Sequence, residues 1–530
     1  MKRMKKLVAL LFSLVMLCAL TMPAMAAGPY SIIITGAKGH TYTAYQVFSG
    51  VYFHGDGKNH TDANKEYLSD VQWGDDINGD ALLTALKGSP IIGSDFTDKT
   101  IAEDVAYVLQ GYGNKSKELD EFARIVGKHL KPEATGTISN VAGEDKKATI
   151  TGLDAGYYFV KDTGTIGASE IATKFLVKVV GDATVDIKAE APTIEKKIVD
   201  TADTNHTSVN IGDQVAFKLT AKVPDMASFD NYTFTIRDTL SKGLTFDAAS
   251  VVVKIGTTEL TAGTNYTLGA LDTSTNTFTI TFTKAQLGDN VKHTDGATIV
   301  VTYKATLNSN ALTTDKETNT AKLEYSNNPS NSEDKGTVKT PDVPTYIYNF
   351  NIDVDKYDGT DGTTNTGKKL EKAVFVLYKK DGTNKEYYKW NEDSKKVEWV
   401  SEANKTTATP KTTNASGKAT FEGLKEGTYY LEEITAPKGY NKLKESVEVK
   451  IEPIYKSDGT LDTSDTDCKL KQDPTNKHYY QVQSISNKAG AVLPSTGGIG
   501  TTIFYVLGSI LVLGAAVLLI VKKRMKDQDR

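Results

Sequence analysis

The chain has 530 residues, with 62 Lys and Arg against 66 Asp and Glu and only two cysteines. Setting aside one removable segment at each end leaves about 470 residues carrying 53 basic and 64 acidic side chains, a net charge near −11. That acidic balance argues against nucleic acid as a partner. Because Cys468 is then the one cysteine left, an internal disulfide is excluded.

In chain order, residues 1–6 carry four positive charges, residues 7–20 form an apolar core, and Ala24-Met25-Ala26 supplies the small-x-small pattern of a signal-peptidase site. Residues 1–26 are therefore expected to be a signal peptide. From there on, alternating runs of Thr, Tyr and Val separated by Gly, Asn and Asp predict antiparallel strands joined by turns. The first region, 27–188, adds helical signals at 101–110 and 118–130, where Leu119, Phe122, Ile125, Val126 and Leu130 share a face. A second region, 189–344, reads almost entirely as strands, and a third spans 345–491. Pro192 and the stretch 341–344 mark the joints. A weak internal repeat, Gly152-Leu153-Asp154-Ala155-Gly156-Tyr157-Tyr158-Phe159-Val160 against Gly423-Leu424-Lys425-Glu426-Gly427-Thr428-Tyr429-Tyr430-Leu431, reads as a turn entering a strand in each copy.

Several polar residues break the alternation. In the third region Phe350, Ile352, Val354 and Lys356 fall on one strand face, as do Tyr429, Leu431 and Glu433, and Ile485, Asn487 and Ala489. The second region repeats the order of lysine, carboxyl and asparagine. Ile194, Lys196 and Ile198 share a face, then Phe234, Ile236, Asp238 and Leu240, then Asn319, Ala321, Leu323 and Tyr325 in what reads as the last strand. Isolated burial of such groups costs several kcal/mol, so each set is expected to converge. Lys197 has the wrong parity to compete with Lys196, whereas Asn327 shares the parity of Asn319. An apolar core lowers a lysine pKa and raises a carboxyl pKa, which sets up a neutral amine beside a protonated acid. Such an acid can shuttle protons while the amine attacks a carboxamide held against it.

The chain ends in residues 492–530, where Leu493-Pro494-Ser495-Thr496-Gly497 precedes an apolar stretch, 501–521, long enough to cross a bilayer. Lys522-Lys523-Arg524 follows and would hold the end in the cytoplasm. This order resembles the sortase sorting signal of Gram-positive surface proteins, Leu-Pro-x-Thr-Gly. Tyr429-Tyr430-Leu431-Glu432-Glu433-Ile434-Thr435-Ala436-Pro437-Lys438-Gly439-Tyr440 resembles the E-box of Gram-positive pilins found in collagen-adhesin B-type modules. Asp238-Thr239-Leu240-Ser241-Lys242-Gly243-Leu244 and Asn319-Thr320-Ala321-Lys322-Leu323-Glu324-Tyr325 are similar to the middle domain of sortase-assembled major pilins.

The resemblance implies a mainly β fold of tandem Ig-like, collagen-adhesin-type β-sandwiches, with helices added to the N-terminal module. It further implies two intramolecular isopeptide bonds, Lys356 to Asn487 promoted by Glu433 and Lys196 to Asn319 promoted by Asp238. In the repeat Asp162 takes the place of Glu433, but residues 175–187 contain no asparagine, so no bond is expected in the first module. The family joins subunits through a lysine in a Tyr-Pro-Lys motif before the second domain. Here the place reads Val185-Asp186-Ile187-Lys188, and Lys188, of outward parity, is the expected acceptor of the Thr496 carbonyl. The implied partners are sortase, neighbouring subunits, peptidoglycan and a host or matrix ligand. The implied location is the cell surface, after transient membrane anchoring, as a pilus shaft subunit or, alternatively, a wall-anchored or tip adhesin. No His-Glu-x-x-His, cysteine pair or Gly-rich phosphate loop points to an enzyme, and no cofactor or metal is expected. Cys468 reads as incidental.

Overall fold

The computed structural model describes the chain outside residues 1–29, 37–39, 55–65, 114–115, 133–138, 141–146, 165, 168–169, 188–190, 200–202, 227–228, 230, 289–295, 329–336, 363–366, 492–498 and 527–530. The expected signal peptide, Lys188 and Leu493-Pro494-Ser495-Thr496-Gly497 lie outside the described residues. Among the described residues the fold is mainly β, three successive pairs of sheets with helices confined to the first module and the C-terminal end, apart from one short helix, Lys284–Gly288, and two 3-10 turns.

In the first module, Lys147–Leu153, Tyr30–Thr35 and Ala183–Asp186 form one sheet; Glu66–Trp73, Thr41–His54, Gly156–Asp162 and Lys174–Val179 form the path of the other. Inward residues such as Ile32, Ile34, Ile150, Val160 and Val177 fill the space between them. The two expected helices are present as Ala102–Leu109 and Lys117–Val126. Two more, Gly79–Lys87 and the single turn Gly93–Phe96, join them. The Ser116 side chain caps Lys117–Val126 by accepting from the Leu119 amide at 3.2 Å, and Leu119, Phe122, Ile125 and Val126 are buried as their periodicity requires. The helix stops at Gly127, a poor helix former, short of Leu130.

The middle module pairs two sheets. One runs Ile194–Ile198, Gln214–Lys222, Thr298–Leu307, Leu244–Ile255, Thr258–Glu259. The other runs His206–Ser208, Val343–Tyr348, Glu317–Ser326, Phe234–Leu240, Thr277–Phe282, Thr267–Leu268. Two further strands, Thr337–Lys339 and Val343–Tyr348, follow the strand bearing Asn319 and pair with it, so that strand is not the module's last. The expected joint at residue 344 falls inside Val343–Tyr348. The chain then passes through buried Asn349 into Phe350–Asp358 of the third module.

In the third module Phe350–Asp358 lies between Lys418–Leu424 and Tyr479–Asn487, parallel to the latter. The facing sheet runs Lys396–Ser401, Asn384–Asn391, Val374–Asp381, Gly427–Thr435, Val447–Ile451. A continuous apolar core joins the middle and third modules. The joint between them also carries hydrogen bonds from the Lys425 amide to Asn210 Oδ1 and from the Glu426 amide to Ser208 Oγ, each 3.1 Å. Helix Ile499–Lys526 contains an apolar, fully unburied span, Gly500–Met525, long enough to cross a membrane.

Candidate functional site

Strand parity carries Lys356 inward among Ile352, Val354 and Phe375, and its side chain has no solvent exposure. The parallel register sets Lys356 opposite Ile485 and Asp358 opposite Asn487, so lysine and asparagine sit on adjacent strands of one sheet. Glu433 reaches them from the facing sheet. Lys356 Nζ donates to Asn487 Oδ1 and lies 3.3 Å from Glu433 Oε1. Asn487 Nδ2 donates to Glu433 Oε1 at 3.0 Å and to Oε2 at 3.1 Å. The Leu443 amide completes the carboxyl's partners at 2.8 Å from Oε2. Burial pulls Lys356 down to about 8 from its ordinary 10.5, against the opposing attraction of Glu433.

The middle module assembles the same residue types differently. Lys196 comes from the edge strand of one sheet, whereas Asp238 and Asn319 come from neighbouring strands of the other, where Leu240 pairs with Asn319 and Asp238 with Ala321. All three are sealed from solvent or nearly so. Lys196 Nζ donates to Asp238 Oδ2 at 2.5 Å, and burial lowers its pKa to about 8. Desolvation pushes the Asp238 carboxyl above its ordinary range despite the lysine beside it.

A residue not foreseen in the sequence stands at the centre of this cluster. Tyr303, from Thr298–Leu307, accepts from Lys196 Nζ at 2.8 Å and from Asn319 Nδ2 at 2.6 Å, and donates to Asp238 Oδ2 at 2.9 Å. Its ring packs on Phe217 and Phe278, with centroids 5.2 and 5.0 Å away. A tyrosine on a core-facing strand position looks like ordinary core. Only the coincidence of its hydroxyl with three other buried polar groups sets it apart.

The competing residues go elsewhere. Lys197 Nζ lies 3.6 Å from Glu195 and is partly exposed. Asn327 is buried, but its Nδ2 donates to the Gly167 and Glu170 carbonyls, and its own carbonyl accepts from the Ala172 amide at 2.8 Å. It therefore tethers the middle module to the first. In the first module Asp162 is buried and paired with His40 rather than with a lysine, and this contact raises the His40 pKa. Cys468 is a free, half-buried thiol packed at the edge of the core. Among the described residues no group of His, Cys, Asp and Glu is placed to hold a metal ion.

Comparison with known proteins agrees with this layout. The family described as Gram-positive pilin backbone subunit 2, Cna-B-like domain, matches residues 211–329. A prealbumin-like fold domain matches 350–467, and an LPXTG cell wall anchor motif matches 485–529. A curated relative, the trypsin-resistant surface T6 protein of Streptococcus pyogenes serotype M6, is 25% identical over 408 residues, covering 64% of this chain and 70% of its own. Among solved structures, the three-domain T6 backbone pilin of serotype M6 Streptococcus pyogenes superposes with a TM-score of 0.52 at 18% identity, over 88% of this chain and all of that one. The group B streptococcus pilus 2b backbone protein is 29% identical over 57% of this chain and 99% of its own, with a TM-score of 0.42.

Proposed function

We propose that the chain is the major shaft subunit of a sortase-polymerised pilus, with its middle and third modules each locked by an intramolecular Lys–Asn isopeptide bond; the match of residues 211–329 to the Gram-positive pilin backbone family and of 485–529 to an LPXTG cell wall anchor supports this. The observation that carries the reading is the sealed contact of Lys356 with Asn487 and Glu433.

The chemistry balances without any co-reactant. A neutral lysine Nζ attacks the asparagine Cγ, an amide C–N bond forms, the Cγ–Nδ2 bond breaks, and the displaced nitrogen leaves as ammonia. Glu433 takes the proton that Lys356 releases and returns one to Asn487 Nδ2, both within its reach. Fixing amine and amide in contact supplies a large effective molarity, which makes a slow condensation feasible. In the middle module Lys196 and Asn319 take the corresponding parts as amine and amide, with Asp238 as the carboxyl beside Lys196. The two bonds would tie the modules in different directions. Lys356–Asn487 joins adjacent parallel strands of one sheet, while Lys196–Asn319 bridges the two sheets of a sandwich. Both supply cross-links to a chain whose exported part holds the single cysteine Cys468.

Between subunits, sortase would cleave after Thr496 and pass its carbonyl to Lys188 of a neighbouring subunit, and at the base of the polymer to peptidoglycan. Lys188 follows Ala183–Asp186 and precedes Ile194–Ile198, the first strand of the middle module. Lys188→Ala, expressed with the native sortases, tests this by blotting wall extracts. The wild type is expected to give a ladder of large species and the variant monomer alone. A single wild-type band would overturn the shaft reading, and an undiminished ladder in the variant would show that another lysine is the acceptor.

A further inference from the structure

In the third module the carboxyl touches the amide directly, with Asn487 Nδ2 within 3.1 Å of both Glu433 oxygens. The middle module has an aspartate in that part, one methylene shorter, and among the described residues Asp238 makes hydrogen bonds to Lys196 and Tyr303 but not to Asn319. Two oxygens stay buried without a partner, Asp238 Oδ1 and Asn319 Oδ1. A carboxyl that cannot reach the leaving nitrogen cannot hand it a proton, and without that proton the nitrogen would have to depart as an amide anion.

The geometry points to Tyr303 as a catalytic residue of the middle module, its hydroxyl carrying a proton from Lys196 Nζ to Asn319 Nδ2 in place of the missing methylene of Asp238. Among the described residues the hydroxyl is the one group that touches the attacking nitrogen at 2.8 Å, the leaving nitrogen at 2.6 Å and the carboxyl at 2.9 Å. With one donor and two acceptor sites in use, its hydrogen-bonding capacity is filled. As Nζ attacks Cγ, the carbonyl electron pair moves onto Oδ1 and the amide nitrogen becomes a basic amine. Tyr303 Oη then accepts the proton Nζ sheds, while its own proton, turned from Asp238 Oδ2 toward the now basic Nδ2, passes to that nitrogen. The Cγ–Nδ2 bond breaks, ammonia leaves, and Tyr303 ends as the neutral phenol it began as. Burial in this core holds the phenol protonated, as a shuttle requires. The tyrosine ring is fixed for the task between Phe217 and Phe278.

This inference rests on the isopeptide reading above, and its test separates the two. The full ectodomain is synthesised in a short pulse as wild type, Tyr303→Phe and Asp238→Ala, and the loss of ammonia is followed by intact mass over time. Phe keeps the ring and its packing. The wild type should lose two ammonias, and Tyr303→Phe should lose the third-module ammonia at the wild-type rate but the middle-module ammonia about 100-fold more slowly or worse. Middle-module loss at the wild-type rate in Tyr303→Phe would overturn the role of Tyr303 while leaving the bonds standing. A wild type that never loses the middle-module ammonia would instead sink the parent reading. Should Tyr303→Phe fail to fold, as its circular dichroism would show, 3-fluorotyrosine at position 303 keeps ring and hydroxyl but changes its acidity. A changed middle-module rate then supports the shuttle, and an unchanged one overturns it.

Discussion

Replacing Glu433 by Gln keeps the side chain's volume and one of its two hydrogen bonds from Asn487 but removes the group that can take and return a proton beside Lys356. The third-module bond should then fail to form. The two ends of that bond are 131 residues apart in sequence. Closing a loop of that length restricts the unfolded chain by about 17 cal/mol/K, or about 5 kcal/mol at 25 °C, if an isopeptide acts on chain entropy as a disulfide does. For a module of this size each kcal/mol moves the midpoint by about 2–4 °C, so the third module should melt about 10–20 °C lower in Glu433→Gln than in the wild type. Scanning calorimetry of the ectodomain gives the shift, and intact mass on the same sample shows whether one ammonia has been retained. A variant that still loses both ammonias would refute the role of Glu433. One that retains an ammonia yet melts within 2–3 °C of wild type would refute the entropy argument.

Asp238→Ala should retain the middle-module ammonia and lose the third-module one normally, because the two clusters share no residue; intact mass of tryptic fragments distinguishes the outcomes. Asn487→Ala leaves Lys356 a free buried amine whose folded pKa of about 8 lies below its ordinary 10.5. Between those values the unfolded chain holds a proton the folded one has released, so this variant's stability should rise with pH from about 8 to 10.5, by at most about 3 kcal/mol, in denaturant titrations. The wild type, whose nitrogen is then an amide, should lack that rise. His478, buried at the joint with Nδ1 2.8 Å from the Thr314 carbonyl and Nε2 unpartnered, has its pKa lowered by burial. The joint's stability should thus be complete above about pH 6.5 and decline as pH falls below it. His478→Gln should flatten that part of the melting-temperature profile.

The cluster in the third module was legible because strand alternation is a strict rule. Lys356, Glu433 and Asn487 occupy positions that neighbouring apolar residues mark as inward, and three strands delivering polar groups to one core leave them nowhere else to go. Parity also ranked Lys196 over Lys197, but it could not separate Asn319 from Asn327, which are both inward and buried. The separation came from the contact of Asn327 with the first module, a tertiary fact with no local signature. Tyr303 escaped for a related reason, since tyrosine is at home in a core and its hydroxyl's partners lie on three other strands. The strand Val343–Tyr348 was read as a joint on account of Pro341 and Pro344. Pro344 is tolerated because only Glu317–Ser326 pairs there; His206–Ser208 joins the other side from Tyr346 onward. Helix Gly79–Lys87, with Leu82, Leu83 and Leu86 buried, is too short for its periodicity to stand out from the surrounding turns.

If each of the two modules carries one covalent Lys–Asn bond, the mass of the purified wild-type ectodomain must show it. That mass should fall below the sequence's by two ammonias, with tandem fragmentation locating one cross-link between Lys356 and Asn487 and the other between Lys196 and Asn319. A mass equal to that of the sequence would contradict it.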